Sequence, residues 1–147
     1  MILREVAATV VMPRFAALLP HQTEMKSGNE PVTIADREAE TLITRGLLAL
    51  IPGSRVIGEE ACSTNPALLD GLNEGTAWIV DPIDDTANFA AGRAPFAMMV
   101  ALMRKGELIG SWIYDPLEDW LAVAKLGGGA WIGGNRVCAK PSVPEPS

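Results

Sequence analysis

The sequence predicts an α+β fold in which two helices pack against a mainly antiparallel sheet. Two observations lead to this prediction. Apolar residues recur at helical spacing in two segments of the first 51 residues, and from Ala77 onwards the chain reads as strands separated by turn residues. At 147 residues the chain has the length of one ordinary domain. We therefore expect one packed core between the helices and the sheet.

The first helix is predicted over residues 2–19. Val6, Val10 and Phe15 fall there at near-helical spacing. Pro13 interrupts this pattern, and a proline inside a helix removes a backbone donor and clashes with the preceding turn. We therefore expect a bend near Pro13.

The second helix is the clearest element of the sequence. It is preceded by a polar segment, residues 20–31, which is predicted to be a loop. The helix is expected to begin near Thr33 or Asp36 and to run to Ile51, because the apolar residues in between share one helical stripe. The proline and glycine at positions 52 and 53 end it.

The remainder of the chain is predicted to be mostly strands. Residues 55–58 form a short strand that leads into Glu59 and Glu60 and then an irregular stretch up to Gly75. The later strands are predicted at 77–80, 96–103, 108–114, 120–124 and 130–132. The last four form a meander with glycine and proline in its turns. Because residues 96–103 are apolar at every position, that strand is expected to be covered on both faces.

Composition and charge narrow the possible functions. There are 18 acidic and 12 basic residues, which gives a formal charge of −6, and no run of Lys or Arg is long enough to follow a phosphate backbone. Nucleic-acid binding is therefore not expected. No apolar run approaches the roughly 20 residues of a membrane span, and the first residues lack the order of a signal peptide, so a cytoplasmic protein is expected.

The apolar content is high for a soluble domain, at 48% before glycine is counted. Such an excess predicts an apolar face that another lobe or a second copy covers. We therefore expect either a homodimer or a missing carboxy-terminal lobe as the partner of this chain.

Four acidic residues occur where helices or strands are expected to begin or end: Asp36, Glu59, Asp81 and Asp84. A tight turn between Asp81 and Asp84 would bring both carboxylates to one side, where they repel each other unless a cation lies between them. A site built from oxygen atoms alone favours Mg²⁺, which commonly shares its ligand shell with phosphate groups. Phosphate ester hydrolysis follows from that pairing.

Spacing alone leaves other interpretations open for each of these acids. Asp81 followed by proline is typical of a turn, and Asp36 three residues after Thr33 resembles a helix capping box. Glu59 and Glu60 also fit a solvated pair in a loop.

Three segments carry a resemblance to a known family: Lys26 with residues 31–36, residues 57–60, and residues 78–89 with the sequence WIVDPIDDTANF. In order and separation they resemble the inositol monophosphatase family over the chain from the first helix to about Val137. The resemblance implies one lobe of a layered αβαβα sugar-phosphatase sandwich. It also implies Mg²⁺-dependent hydrolysis of a small phosphorylated polyol or sugar such as inositol monophosphate, with histidinol phosphate or another sugar phosphate as alternatives.

The resemblance assigns roles to the acidic residues. Glu59, Asp81 and the backbone carbonyl of Ile83 would hold one Mg²⁺, and Asp81 with Asp84 a second, in a complete family site of two or three ions. Thr86 and Asp36, hydrogen-bonded to each other, would be the catalytic residues, which orient the attacking water and help to deprotonate it.

Further positions follow from the same resemblance. The backbone around Asp84, Asp85 and Thr86 would face the substrate phosphate, as turn amides do in anion-binding nests. Lys26 and Glu60 would support the site from behind, although an ordinary solvated lysine is an equally good interpretation of Lys26.

The sequence departs from the family pattern in two ways. Asp85 stands where the family usually has glycine, and its side chain, charge and any positive φ would each hinder phosphate binding, although a third acid could instead increase cation affinity. Residues 1–140 match only the amino-terminal lobe, with the carboxy-terminal lobe absent and a proline-rich, disordered tail expected over 141–147. This chain alone is therefore expected to be a weak or inactive enzyme, or a non-catalytic remnant that binds a metal or a partner.

Overall fold

Over residues 1–140 the fold consists of one large sheet, a small hairpin and four α-helices. The computed structural model describes residues 1–140, so the predicted tail at 141–147 lies outside the described residues. The helices are α1 (Ile2–Val6), α2 (Ile34–Leu50), α3 (Glu59–Thr64) and α4 (Thr86–Ala90). The strands are β1 (Thr23–Met25), β2 (Pro31–Thr33), β3 (Arg55–Gly58), β4 (Thr76–Asp84), β5 (Ala97–Arg104), β6 (Glu107–Asp115), β7 (Trp120–Lys125), β8 (Gly129–Ile132) and β9 (Asn135–Val137).

The seven strands β3 to β9 form one sheet in the order in which they occur in the chain. β3 and β4 are parallel, and every later neighbouring pair is antiparallel. β1 and β2 form a separate antiparallel hairpin. The prediction of an α+β fold with a mainly antiparallel sheet, including its meander, is confirmed.

The second predicted helix is confirmed as α2, and its start is fixed by a capping box. The hydroxyl of Thr33 accepts the amide N–H of Ala35 at 3.1 Å, and the carboxylate of Asp36 accepts the N–H of Thr33 at 2.8 Å. Each bond satisfies a backbone donor that the first turn or its cap would otherwise leave unpaired. The capping interpretation of Asp36 is therefore correct.

The first helix is shorter and less regular than predicted. After α1 the backbone continues as a π-helix over Ala7–Val11 and as a 3₁₀ turn over Met12–Arg14, and Phe15 is extended. Pro13 lies in the first turn of the 3₁₀ segment, where a missing N–H costs little. The prediction that the helix reaches residue 19 is wrong, because the chain turns at Phe15 to pack its ring 5.2 Å from that of Phe96.

Several short elements were not predicted. Residues 20–31, expected to be a loop, contain a 3₁₀ turn (Pro20–Gln22) and β1, and β2 begins at residue 31. The stretch up to residue 75, expected to be irregular, contains α3 and a 3₁₀ turn at Pro66–Leu69. α4 and β9 were also not predicted. Each of these elements has six residues or fewer, too few for periodicity to be visible.

The core lies between the helices and one face of the sheet. Its buried side chains include Leu3, Val6 and Val11 from the first helical segment, Ile43 and Leu47 from α2, and Trp78, Val80, Met98, Val100 and Tyr114 from the strands. On β5 the alternate residues Met99 and Ala101 are only half-buried. Within residues 1–140 this strand is therefore covered on one face, and the prediction of cover on both faces is wrong. No helix in this part of the chain combines the length and apolarity needed to cross a lipid bilayer.

The packing of α2 on the sheet predicts the effect of truncating its buried side chains. Ile43 is fully buried, so we expect Ile43→Ala to lower the free energy of unfolding by about 2–5 kcal/mol. Leu48 on the same helix is 40% exposed, so Leu48→Ala should change it by no more than about 0.5 kcal/mol. Urea unfolding of both variants measures the difference, and equal destabilisation would contradict this assignment of the core.

Candidate functional site

The site begins with the parallel pairing of β3 and β4. In their register, Gly58 at the end of β3 lies beside Val80. Glu59 and Asp81, the residues that follow Gly58 and Val80, therefore lie side by side. Rigid strands that end next to each other are a common way to bring binding groups together.

A bulge in β4 brings the second aspartate to the same side. Asp81 pairs with Met99 and Asp84 pairs with Ala97, so three residue steps on β4 oppose two on β5. In a regular strand, residues three apart point to opposite faces, but the extra residue restores a common face. The tight turn expected between Asp81 and Asp84 is therefore wrong as a structure, because β4 continues through both residues, but the two carboxylates still lie on one side.

These strand ends open into a cleft of about 280 Å³. Its lining residues are Lys26, Glu30, Pro31, Glu59, Asp81, Ile83, Asp84, Asp85, Thr86 and Ala87. Seven of the nine predicted site residues are among them. The other two lie behind the lining, where Asp36 contacts Thr86 and Glu60 contacts Lys26.

Lys26 is a largely buried ion-pair partner of both Glu59 and Glu60. Its Nζ donates to Glu59 at 3.0 Å and to Glu60 at 3.1 Å, and only 13% of its side chain is exposed. Burial lowers the pKa of Lys26, but the hydrogen bonds to both glutamates raise it overall. Glu60 is also buried. The interpretations of Lys26 as a solvated lysine and of Glu59 and Glu60 as a solvated pair are therefore both wrong.

Asp36 connects the start of α2 to Thr86. One carboxylate oxygen accepts the N–H and hydroxyl of Thr33, and the other lies 2.9 Å from the hydroxyl of Thr86. Burial raises the pKa of Asp36, while the hydrogen bonds from Thr33 and Thr86 oppose this rise. The Thr86 hydroxyl also lies 2.9 Å from the carbonyl oxygen of Ile83, and its single hydrogen serves one acceptor at a time.

Asp81 is the one acid of the site with an unsatisfied buried oxygen. Its Oδ1 is buried and has no hydrogen-bond partner among the described residues. Burial, followed by the negative charge of Glu59, raises the pKa of Asp81 to about 8. A cation at Oδ1 would supply the missing partner, so the donor set fits a metal ion of the kind that oxygen ligands bind.

The acids are close but are not arranged as a finished metal centre. Across residues 1–140, no three acidic, histidine or cysteine side chains already converge as metal ligands. Glu59 is engaged with Lys26, and Asp84 is exposed. Side chains must therefore move before several carboxylates can bind one ion.

Asp85 adopts the backbone conformation that favours glycine. It is left-handed, with φ 61° and ψ 56°, a region that aspartate tolerates better than most residues. Its carboxylate accepts the backbone N–H of Asn88 at 3.1 Å and the side-chain amide of Asn88 at 2.9 Å. Asp85 therefore caps α4, a role that was not predicted.

Sequence reasoning also missed Glu40. This buried residue of α2 accepts backbone N–H groups from the start of α3. The available signal was its spacing, because a residue four positions after Asp36 lies on the same face of a helix. No chemistry-bearing pattern distinguished it from the other charged residues of α2.

The fold and the cleft together define an α+β domain with an acidic site at the ends of two parallel strands. The chain belongs to the inositol monophosphatase family, whose model matches residues 2–146. This finding confirms the resemblance carried by the three sequence segments.

Individual relatives agree with this membership. The chain is 37% identical over 116 residues to the inositol-1-monophosphatase of Rhizobium meliloti, covering 79% of this chain and 42% of that protein. It is 33% identical over 120 residues to the Nus factor SuhB of Vibrio cholerae, covering 82% and 43%. A solved inositol monophosphatase structure from Thermotoga maritima superposes with a TM-score of 0.82 at 27% identity, over 95% of this chain and 51% of that one. The chain thus spans about half the length or less of these relatives.

The pKa of Asp81 predicts a pH dependence of stability without metal. Because its pKa rises from the ordinary 3.8 to about 8 on folding, the folded chain binds more protons than the unfolded chain between these values. Stability should therefore fall as the pH rises from about 5 to about 8. We expect this fall to be roughly 1–2 kcal/mol larger than in Asp81→Asn, after allowance for the partial exposure of the group.

Urea unfolding in the presence of a chelator measures both pH profiles. Asp81→Asn keeps the size of the side chain and leaves the other acids unchanged, so it isolates the contribution of this group. Parallel profiles for the two proteins would contradict the assignment of a raised pKa to Asp81.

Proposed function

We propose that this chain carries the cation-binding and water-activating part of a Mg²⁺-dependent phosphatase for a small sugar or polyol phosphate, with inositol monophosphate as the leading substrate. The observation that carries the proposal is the buried Oδ1 of Asp81 beside Glu59, which has no hydrogen-bond partner within residues 1–140. Such an oxygen is stable as an anion only next to a cation. Family membership supplies the reaction class.

Oxygen atoms dominate the donors around the cleft, which favours Mg²⁺ over Zn²⁺. In this proposal Glu59, Asp81 and the carbonyl of Ile83 hold one ion, and Asp81 and Asp84 hold a second, with two or three ions in the complete site. The bound cations would supply an acidified water and neutralise the charge on the transferring phosphoryl group. Release of Glu59 from Lys26 would accompany binding.

Thr86 and Asp36 form the water-activating pair of the proposal. When the Thr86 hydroxyl donates to Asp36, its oxygen lone pairs are free to accept a hydrogen bond from a water in the cleft. As that water attacks, its proton would pass to the Thr86 oxygen while the Thr86 proton passes to Asp36. Asp36 is suited to this role because its other oxygen is fixed by Thr33. The pair therefore orients the attacking water and takes up its proton.

The substrate phosphate is proposed to lie against the backbone of Asp84, Asp85 and Thr86, which line the cleft where β4 leads into α4. Turn amides in such a segment bind anions. Lys26 offsets part of the carboxylate charge, and Glu60 holds Lys26 in place. These contacts recognise the phosphate and leave the choice of alcohol open.

The relatives suggest that a further lobe contributes to the complete enzyme, since this chain covers 42% of the Rhizobium meliloti protein. The half-buried sheet face that carries Met99 and Ala101 suits such a lobe, or a second copy of this chain. We therefore expect the 147-residue polypeptide alone to bind cations but to turn over phosphate esters slowly.

The first test combines calorimetry with a phosphatase assay on the 147-residue chain. We expect Mg²⁺ binding in the wild type and at least a tenfold weaker affinity in Asp81→Asn, because one oxygen of the shared ligand loses its charge. With an aryl phosphate, turnover should stay below about 1 per second, the low end of ordinary enzymes.

Glu74→Gln is a matched control, since Glu74 is exposed and lies outside the cleft lining. It should leave the Mg²⁺ affinity unchanged. Absence of Mg²⁺ binding in the wild type, or unchanged binding in Asp81→Asn, would refute the proposed site. Faster turnover would refute only the expectation of a weak enzyme.

A second prediction concerns Asp85, which we propose weakens phosphate binding. Asp85→Asn keeps a side chain that tolerates the left-handed backbone but removes the charge, and Asp85→Gly removes the side chain as well. In the presence of Mg²⁺, both should bind inorganic phosphate more tightly, by about 1 kcal/mol or roughly fivefold, because a nearby like charge is lost. Calorimetric titration measures the affinity, and wild-type values in both variants would rule the effect out.

A second candidate function is a non-catalytic module that binds a metal or a partner. Two observations favour it: the acid at position 85, and a relative that is named as a Nus factor. The same titrations separate the candidates. Mg²⁺ binding without phosphate binding, even in Asp85→Gly, would favour the module, whereas phosphate binding that depends on Mg²⁺ would favour the phosphatase.

A further inference from the structure

Glu40 is a buried carboxylate that none of the roles above uses. It lies on α2, one turn after Asp36, and is 8% exposed. Its two oxygens accept the backbone N–H groups of Glu60 at 2.7 Å and Ala61 at 2.9 Å. These amides belong to the first turn of α3, where backbone donors have no partner within the helix. Glu40 therefore caps α3 from a neighbouring helix.

Gly58 provides a second observation about the same carboxylate. A Cβ atom at Gly58 would overlap the Cδ and both oxygens of Glu40. The backbone of Gly58 has φ −93° and ψ 149°, which any residue adopts, so conformational freedom does not explain the glycine. The end of β3 is in contact with the carboxylate, and only glycine leaves room for it.

Glu59 lies between these two contacts. Gly58 before it packs against Glu40, and the amides of Glu60 and Ala61 after it are bound by Glu40. The backbone of Glu59 is thus held on both sides by one side chain that does not line the cleft. Glu59 is the residue that lies next to Asp81 where the two parallel strands end.

We propose that Glu40 is a positioning residue that fixes the start of α3 so that Glu59 reaches the cation held by Asp81. This inference rests on the proposed function, because it assumes a cation at Asp81. Asp36 and Glu40 lie four residues apart on one helix face, so α2 positions Thr86 through the first and Glu59 through the second. Groups that orient metal ligands typically change metal affinity 10–100-fold when they are removed.

The test measures Mg²⁺ affinity of the 147-residue chain by calorimetry in Glu40→Gln and Glu40→Ala. Gln keeps one acceptor oxygen but directs an amide group at the second N–H, and Ala removes both acceptors. We expect the Mg²⁺ affinity to fall about 10-fold in Glu40→Gln and up to about 100-fold in Glu40→Ala. Glu40→Gln has nearly the shape of the original side chain, so it serves where Glu40→Ala does not fold.

Ile43→Ala is the control for a purely structural effect. It removes a buried side chain of the same helix, and its Mg²⁺ affinity, measured well below its unfolding temperature, should stay within about twofold of the wild type. Amide hydrogen exchange gives a readout that needs no metal. The N–H groups of Glu60 and Ala61 should be protected in the wild type and exchange at least about tenfold faster in Glu40→Gln.

A double-mutant cycle with Gly58→Ala tests the contact directly. Gly58→Ala alone should weaken Mg²⁺ binding, because the added methyl displaces the carboxylate of Glu40. In the Glu40→Ala background the same change should have little further effect, since the overlap is gone. Additive losses would contradict the proposed contact.

The outcomes separate this inference from the proposed function. Wild-type Mg²⁺ affinity in both Glu40 variants overturns the positioning role while leaving the cation site intact. A wild type that binds no Mg²⁺ refutes the proposed function and the metal-directed role of Glu40 together. In that case the exchange rates of Glu60 and Ala61 decide whether Glu40 caps α3 at all.

Discussion

The arrangement of this lobe depends on how buried negative charge is satisfied. Asp36, Glu40, Glu60 and Asp81 are all partly or wholly buried near one cleft, and burial raises the pKa of each. The first three have hydrogen-bond donors: hydroxyl and backbone groups for Asp36, two amides for Glu40 and the Lys26 ammonium for Glu60. Asp81 Oδ1 has none among the described residues. The oxygen without a donor therefore belongs to Asp81, the residue at the centre of the proposed cation site.

Three backbone features bring these groups together. The parallel register of β3 and β4 puts their ends side by side, and the bulge in β4 turns Asp84 to the side of Asp81. α2 then presents two carboxylates on one face, and they bind the first residue of α4 and the first turn of α3. Because strands and a 17-residue helix are stiff, the acids are held close despite their repulsion. Without a cation, burial first and that repulsion second raise the pKa of Asp81.

The long elements could be predicted from the sequence, whereas the short ones could not. The 17 residues of α2 and the strands of the meander repeat their pattern often enough to be seen, but α3 has six residues and α4 has five. The β4 bulge depends on pairing with β5, more than ten residues away, so spacing around Asp81 suggested a turn instead. Most site residues were found through the family motifs. The burial of Lys26 and Glu60 follows from tertiary packing, which no local pattern encodes.

Asp85 shows how a substitution can preserve the backbone of a site while altering its chemistry. The backbone at this position is left-handed, a conformation that favours glycine, and aspartate is among the few other residues that tolerate it. By binding the backbone and side chain of Asn88, the carboxylate also caps α4 and offsets part of the conformational cost. The path from Asp84 to Thr86 is thereby maintained, and the Thr86 hydroxyl reaches Asp36 at 2.9 Å. Under the proposed function, any cost of Asp85 would therefore fall on the affinity for a phosphate anion, through charge and side-chain volume, and not on the framework that holds the acids.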